Sequence, residues 1–547
     1  MTAHTTSLAE RGLAMRSAGY WIDKTMDVFL VEALGLHPDK TVIVAHRADR
    51  DAARRFTYRE LADMVASAAG ALRAMGVAHG DVVSVQLPNW WEFVVTALAC
   101  GRIGAVVNPL MPIFRERELR YMLGFTQSKV LIVPRLYRSF DHAAMADGLR
   151  AELPALRHVI VVDGNADHGF DQRMLHGAAP VAAASSGASA ALQPDDVSVM
   201  VFTSGTTGDP KGVMHSSNTL LACLNSLRGR FGLTPDDVLL CATPVGHMTG
   251  YAAIVMLAIR LGGSMVLQDV WDGPRGVALM AQEGVTYTAA STPFLTDICD
   301  AVSAGAPRPQ RLRSFLCGGA PIPPMLIERA ARELELAVCS LWGMTEALSG
   351  TLTEPQRAAE KSSTTDGRPL EGMEILVADA DGQPMPSGQT GRLLVRGAQV
   401  FLGYFKRPDL AASDAQGWFD TGDLAYMDEE GYIRINGRTK DVLIRGGENI
   451  PVFEIESLLM RHPAVSAASV VGYPDPRLGE RACAFVVLRP GTALDLIAVQ
   501  AYMAKSQVAK QYWPERVRVV DELPRTPTGK IQKFRLREIA AAETALV

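Results

Sequence analysis

Val197-Ser198-Val199-Met200-Val201-Phe202-Thr203-Ser204-Gly205-Thr206-Thr207-Gly208-Asp209-Pro210-Lys211-Gly212 joins an apolar run to a loop of hydroxyls, glycines and one lysine. Such a loop suits a polyphosphate. Hydroxyls and successive backbone N–H groups can converge on one anion, and glycine removes the Cβ that would block the approach. Lys211 adds a point charge for a phosphate oxygen. Because the lysine follows proline, the spacing is not the G-x-x-x-x-G-K-S/T of P-loop NTPases. A solvated turn is the plain alternative for any Ser/Thr/Gly-rich loop, so the rest of the chain has to decide.

Outward from this stretch, short β-branched runs recur at 82–87, 130–133, 159–162 and 312–316, with helix-like segments between them. That alternation predicts an α/β fold with largely parallel sheets. Residues 176–194 are dominated by Ala, Ser and Gly and read as a surface connection. After Glu346 the texture changes to short runs at 375–377, 393–395 and 433–435 with turn signals at Asp381-Gly382 and Glu430-Gly431, predicting a smaller mixed or antiparallel β unit. Pro451 opens a helix whose apolar face is Ile455, Leu458 and Leu459 and which stops at His462-Pro463. The expected division is 1–439 and 440–547.

A chain of 547 residues exceeds what one hydrophobic core usually serves. Its formal charge of −5 argues against a general nucleic-acid or anionic-membrane binder. The seven cysteines are scattered and form no C-x-x-C, which fits neither a disulfide framework nor a zinc cage. The first residues show no secretory signal, and the most apolar stretches are interrupted by Arg102 and Arg260. No membrane span and a cytoplasmic location are expected.

Four further motifs follow the loop in order: Leu341-Trp342-Gly343-Met344-Thr345-Glu346, Trp418-Phe419-Asp420-Thr421-Gly422-Asp423, Gly437-Arg438-Thr439-Lys440-Asp441, and Pro524-Arg525-Thr526-Pro527-Thr528-Gly529-Lys530. Together the five resemble the adenylate-forming superfamily of acyl-CoA synthetases, carrier-protein adenylation domains and luciferases. The match covers roughly 51–538. It implies a large multilayer amino-terminal domain with two mostly parallel sheets and a small β-barrel-like unit, followed by a small mobile α+β carboxy-terminal domain. It also implies an enzyme that uses ATP, Mg²⁺ and CoA.

Carried over residue by residue, the resemblance places Thr203, Ser204, Gly205, Thr206, Thr207 and Lys211 at the nucleotide phosphates. Glu346 is the Mg²⁺ ligand and Thr345 an α-phosphate donor, with a helix-start Thr-Glu pair as the duller reading. Trp342 and Gly343 lie at the adenine, as do Gly319 and Ala320 of the Gly318-Gly319-Ala320-Pro321 loop; alone, Trp342 would be core and the loop a strand-end turn. Asp423 offers its carboxylate to the ribose hydroxyls and Arg438 binds ribose or phosphate, against a turn aspartate and a surface ion pair. His247 corresponds to the gate at the acid's carboxylate, where a satisfied core histidine is the alternative.

Lys530 is the central catalytic expectation. A carboxylate attacking the α-phosphorus builds charge on its equatorial oxygens, and a lysine brought there stabilises the transition state. The surrounding Arg525, Lys533, Arg535 and Arg537 could by themselves be a nucleic-acid patch. The resemblance further implies that Lys440 is a hinge and that Gly446 and Gly447 form a loop approached by the CoA thiol; a hairpin turn explains those glycines equally well. An acetyltransferase and deacetylase acting on Lys530, and a homodimer, are further expectations. One departure is Gly391-Arg392-Leu393, where the family often has Gly-Glu-Leu.

Acetyl-CoA synthetases place a second tryptophan where this chain has Gly343, so the acyl pocket is expected to admit more than acetate. Met248, Tyr251, Phe294, Cys317 and Met344 are candidate lining residues, each with ordinary core as its alternative. The amino-terminal half, including Trp90-Trp91-Glu92-Phe93, is most similar to medium-chain fatty acid and cyclohexanecarboxylate CoA ligases. The expected function is an acid–CoA ligase for a medium-chain or alicyclic acid. A stand-alone enzyme charging an acyl-carrier protein, and a non-catalytic nucleotide sensor, are the competing readings.

Overall fold

The apolar run at 197–202 forms the strand Val197–Thr203 of a seven-stranded sheet. In a computed structural model the chain is described at residues 8–165, 168–183, 191–203, 210–319, 322–410, 413–439, 443–445, 448–450, 452–506, 508–525 and 531–542. Strand order in this sheet is Gly403–Tyr404, Lys211–Ser216, Val197–Thr203, Val106–Pro109, Val82–Val85, Val130–Pro134, His158–Val162. The last five are mutually parallel, while the first two pair antiparallel. Three of the runs read from sequence are thus adjacent strands, at 82, 130 and 158, running out to one edge of the sheet. Their continuous apolar character reflects burial on both faces, which removes the need for alternation.

A nine-stranded sheet supplies the second layer. Its six central strands, Ala337–Met344, Ser314–Gly318, Tyr287–Ala290, Val238–Cys241, Ser264–Gln268 and Thr41–His46, are parallel. Leu348–Leu352, Arg368–Pro369 and Arg54–Thr57 close its edges antiparallel. The helix Trp91–Ile103 is buried on almost every side, with Trp90 and Trp91 among the largest fully enclosed side chains. A helix that is apolar all round belongs in the centre of a large domain. Here it lies in the main core with Leu221, Ile254 and Leu267.

The chain divides into two compact units, Met1–Glu374 with Val395–Phe419, and Ile375–Leu394 with Asp420–Val547. Both large sheets belong to the first. Most of the predicted short-stranded unit falls in the second, as a four-stranded sheet in the order Met373–Ala378, Gly391–Gly397, Phe419–Met427, Ile433–Arg438. The second also carries a sheet of Glu448–Ile450, Leu443–Arg445, Gly479–Leu488 and Val465–Asp475, with Arg516–Val519 parallel to Gly479–Leu488. The helix expected after Pro451 is Val452–Met460, with Ile455 and Leu459 buried as the sequence pattern requires. Lys440, the expected hinge and domain junction, lies outside the described residues. Among the described residues no helix is long and apolar enough to cross a membrane.

Candidate active site

Four adjacent parallel strands of the nine-stranded sheet end at Cys241, Ala290, Gly318 and Met344. Several of the sequence-predicted site residues of the first unit follow those ends. His247 and Met248 come after the first strand, Phe294 after the second, Gly319 after the third, and Thr345 and Glu346 after the fourth. Ligands of open parallel sheets bind at this carboxyl edge, where strand ends point side chains and loops outward.

Glu346 is 7 % exposed, and its Oε1 accepts a hydrogen bond of 2.7 Å from the Tyr404 hydroxyl. The Glu346 carbonyl accepts Phe401 N–H at 2.8 Å. Burial first, and the neighbouring Glu346 charge second, push the Tyr404 phenol well above its ordinary range, so it remains a donor. The Lys211 ammonium lies 4.7 Å from the centroid of the Tyr404 ring. Lys211 and Thr203 are cross-strand partners, so both ends of the loop read as a phosphate cradle start from one fixed pair. Ser204, Gly205, Thr206 and Thr207 lie outside the described residues.

Thr345 is held from behind by His215, whose Nε2 is 2.7 Å from the Thr345 carbonyl oxygen. A carbonyl only accepts, so Nε2 carries the proton and Nδ1, 3.1 Å from the Thr219 hydroxyl, is the acceptor. Complete burial lowers the His215 pKa to about 4, which keeps this neutral arrangement at physiological pH. Among the described residues no three His, Cys, Asp or Glu side chains gather as a metal cage. A Mg²⁺ that arrives with a nucleotide needs only one or two carboxylates beside phosphate oxygens and water, and the hard oxygens of Glu346 fit that role.

Trp342 is 6 % exposed on the strand Ala337–Met344. Its pairing with Leu348–Leu352 shifts register between Trp342 and Gly343, and the indole lies across Gly350, where a Cβ would collide with the ring. A Cβ on Gly343 would fall inside the contact radius of the Leu348 carbonyl oxygen. Gly343 is therefore demanded by the hairpin itself, a reason the sequence reading, which treated it as pocket-opening, did not contain. Gly319 sits at φ +83°, a conformation that favours glycine, and Ala320 lies outside the described residues.

His247 accepts from the Thr249 N–H at 3.2 Å through Nδ1 and caps the turn Met248–Gly250. Its loop is anchored by Asn89, whose Oδ1 accepts Val245 N–H at 2.9 Å while Nδ2 lies 2.9–3.2 Å from the carbonyls of Cys241, Thr243 and Gln268. Phe294 and Met344 are half-buried at the strand ends, and Cys317, fully buried, has its thiol pushed up to about 12. Met248 belongs to the main core. Tyr251 does too: it meets Phe93 edge-on at 6.2 Å and borders a small cavity of about 20 Å³ with Met26 and Leu220, which is the core alternative weighed for it.

In the second unit Asp423 and Arg438 are direct cross-strand partners, joined by an Arg438 Nε–Asp423 Oδ1 bond of 2.7 Å. The carboxylate side chain is 6 % exposed and the guanidinium 47 %, so an enclosed acid faces a partly open base. Arg392, the departure without a reading from sequence, bonds the Asp420 carboxylate at 3.0 Å and the Asp379 and Ala380 carbonyls at 3.2 and 3.3 Å. A glutamate could not donate to those carbonyls. Arg525 and Ile531 form an antiparallel bridge that flanks Lys530, which itself lies outside the described residues, as do Gly446 and Gly447.

Sequence reasoning missed His215, Tyr404 and Asn89. The only local trace of His215 is a polar residue directly after Val213-Met214, and Tyr404 reaches the site through a two-residue strand paired with a segment about 190 positions earlier.

The AMP-binding enzyme family model matches residues 30–405, and the AMP-binding enzyme C-terminal domain matches 454–530. The chain is similar to the medium-chain fatty-acid–CoA ligase of Escherichia coli strain K12, with 36% identity over 534 residues covering 97% of this chain and 93% of the relative. It is also similar to a (7a-methyl-1,5-dioxo-octahydro-1H-inden-4-yl)propanoyl:CoA ligase of Mycobacterium tuberculosis strain H37Rv, 37% identical over 507 residues, covering 92% of this chain and 96% of the relative. Among solved structures, ATP-bound MatB from Rhodopseudomonas palustris superposes with a TM-score of 0.83 at 29% identity, covering 94% of this chain and 99% of that one.

Proposed function

The chain belongs to the AMP-binding enzyme family, and on that premise we propose that it activates a medium-chain or alicyclic carboxylic acid as its acyl-adenylate and passes the acyl group to CoA. The observation that carries this reading is the buried Glu346 carboxylate, held by Tyr404 beside Lys211 at the carboxyl edge of the parallel sheet. A carboxylate for the cation and an ammonium for phosphate are what an ATP-dependent acid activation needs in one place.

Glu346 and Lys211 then hold Mg-ATP, with Thr345 donating to the α-phosphate from a backbone that His215 fixes. When bound, Mg²⁺ neutralises phosphate charge. Trp342 offers its indole to the adenine, and Asp423 and Arg438 serve the ribose. His247 borders the acid's carboxylate, with Phe294, Cys317 and Met344 nearest the acyl chain. Lys530 stabilises the charge that builds as the acid's oxygen attacks the α-phosphorus and pyrophosphate leaves. CoA thiolate then attacks the acyl carbon and AMP departs. A cytoplasmic homodimer whose Lys530 is a target for acetylation completes the proposal.

An apolar pocket rewards each methylene by about 0.8 kcal/mol, or roughly fourfold. Pyrophosphate release should therefore rise from short to medium straight-chain and alicyclic acids when measured across straight, branched, cyclic and aromatic acids. The acyl product should appear on free CoA. A preference for acetate, or transfer to a carrier protein but not to CoA, overturns the reading.

A further inference from the structure

Tyr404 touches both charged groups at once. Its hydroxyl donates to Glu346 Oε1 at 2.7 Å, and its ring lies under the Lys211 ammonium at 4.7 Å. We propose that Tyr404 is a positioning residue that holds Glu346 and Lys211 apart and aimed, so that the cation and the phosphates of Mg-ATP meet two prepared, unspent charges. This rests on the reading of Glu346 as the Mg²⁺ ligand.

Opposite charges that contact one shared side chain have a simple competing option, which is to pair. No ion pair joins Lys211 to Glu346, although both residues are described. Tyr404 contacts both, the ammonium with its ring face and the carboxylate with its hydroxyl. It offers each charge a weaker partner than the other would be: a neutral hydroxyl for the carboxylate and a quadrupole for the ammonium. A bound Mg²⁺ and a phosphate outcompete those partners readily, whereas they would have to break a direct ion pair.

The backbone around Tyr404 is tied to both ends of this relay. Val213 and Met214 are the ladder partners of Tyr404 and Gly403. Phe405 N–H donates to Gly212 at 2.8 Å and Leu402 N–H to Met214 at 2.9 Å, fixing the segment to the strand that begins with Lys211. Phe401 N–H donates to the Glu346 carbonyl at 2.8 Å, fixing it to the other side. The Tyr404 ring, 5 % exposed, stands against Phe401 at 4.9 Å and 67°. Its rotamer is thus set by packing independent of either charge.

Core packing alone would give a buried tyrosine the same enclosure, so the test separates packing from positioning. Tyr404→Phe keeps the ring under Lys211 and removes only the hydroxyl. Binding of Mn²⁺ in the presence of a non-hydrolysable ATP analogue, followed by electron paramagnetic resonance, should weaken about tenfold, the scale of one hydrogen bond to a charged group. Binding of the analogue without metal should stay within about twofold, and the melting temperature should hold. Tyr404→Leu should weaken metal-free binding as well, because Lys211 loses its seat.

Unchanged Mn²⁺ affinity in Tyr404→Phe, or an equal loss with and without metal, overturns the positioning role. Glu346→Gln separates the two levels of the claim. If Glu346→Gln loses Mn²⁺ binding while Tyr404→Phe does not, only the role of Tyr404 fails. If Glu346→Gln binds Mn²⁺ normally, the ligand reading beneath it fails.

Discussion

In the proposed mechanism Lys530 and Glu346 divide the chemistry unequally. Glu346 sits in a prepared environment, whereas Lys530 is known from its motif and from the Arg525–Ile531 bridge that flanks it. In that mechanism its charge matters when the acid's oxygen attacks phosphorus, and much less when a thiol attacks an acyl carbon. Lys530→Ala should therefore lose about 2.7–4 kcal/mol of transition-state stabilisation in adenylation, the cost of deleting one preorganised donor. Acid-dependent pyrophosphate exchange measures that loss. Thioester formation from presynthesised acyl-AMP should largely survive, and equal losses in the two assays contradict the division. The motif residues could be proposed from sequence because the pattern that points to them is local. Tyr404, His215 and Asn89 were not, because each acts through partners that only the folded chain brings near: Glu346, Thr345 and the 241–245 loop.

Elements explain what residue types could not. The hairpin formed by Ala337–Met344 and Leu348–Leu352 leaves no room at Gly343, whereas a Cβ on Gly101 in the helix Trp91–Ile103 would meet nothing within 4 Å. Gly343→Ala should destabilise by about 1–3 kcal/mol through overpacking. Gly101→Ala should instead stabilise by about 0.5–1 kcal/mol through helix propensity. Denaturation midpoints of the pair, shifting in opposite directions, check both. The same helix holds Glu92, 3 % exposed, with no partner for Oε2. Burial raises its pKa from 4.5 to about 8, against the pull of its own N–H, Arg47 and Arg54 and with a further push from Asp163. The folded state then binds this proton more tightly than the unfolded chain. Its stabilisation is complete below about pH 4.5 and drains as pH rises through about 8, by up to ~1.4 kcal/mol per pH unit. Glu92→Gln should flatten the fall in thermal midpoint between about pH 6 and 8.5, and a slope identical to the parent refutes the assignment. The parallel strands at 82, 130, 159 and 197 were readable because burial makes them mostly apolar. The edge strand Gly403–Tyr404 was not, since two residues carry no periodicity.

At the scale of the whole molecule, the seven cysteines test whether the two units close around real cores. Their scatter and odd number excluded a disulfide framework from sequence, and all seven are buried as free thiols. Cys100, Cys223, Cys241, Cys299, Cys317 and Cys339 lie in the first unit and Cys483 in the second. Burial raises the thiol pKa at Cys223, Cys299 and Cys483 to about 11 and at Cys317 and Cys339 to about 12. A thiol reacts as its thiolate, so both access and ionisation are suppressed in the native state. A chromogenic aromatic disulfide at pH 8 should titrate close to zero thiols in the folded protein and seven after denaturation without reductant. Rapid native reaction of one thiol would locate a loosely packed unit. The position of that thiol identifies which: only Cys483 reports on the second unit, where it packs with Tyr473, Phe485 and Leu536. Slow labelling that follows global unfolding, rather than fast local opening, is the outcome that continuous cores in both units require.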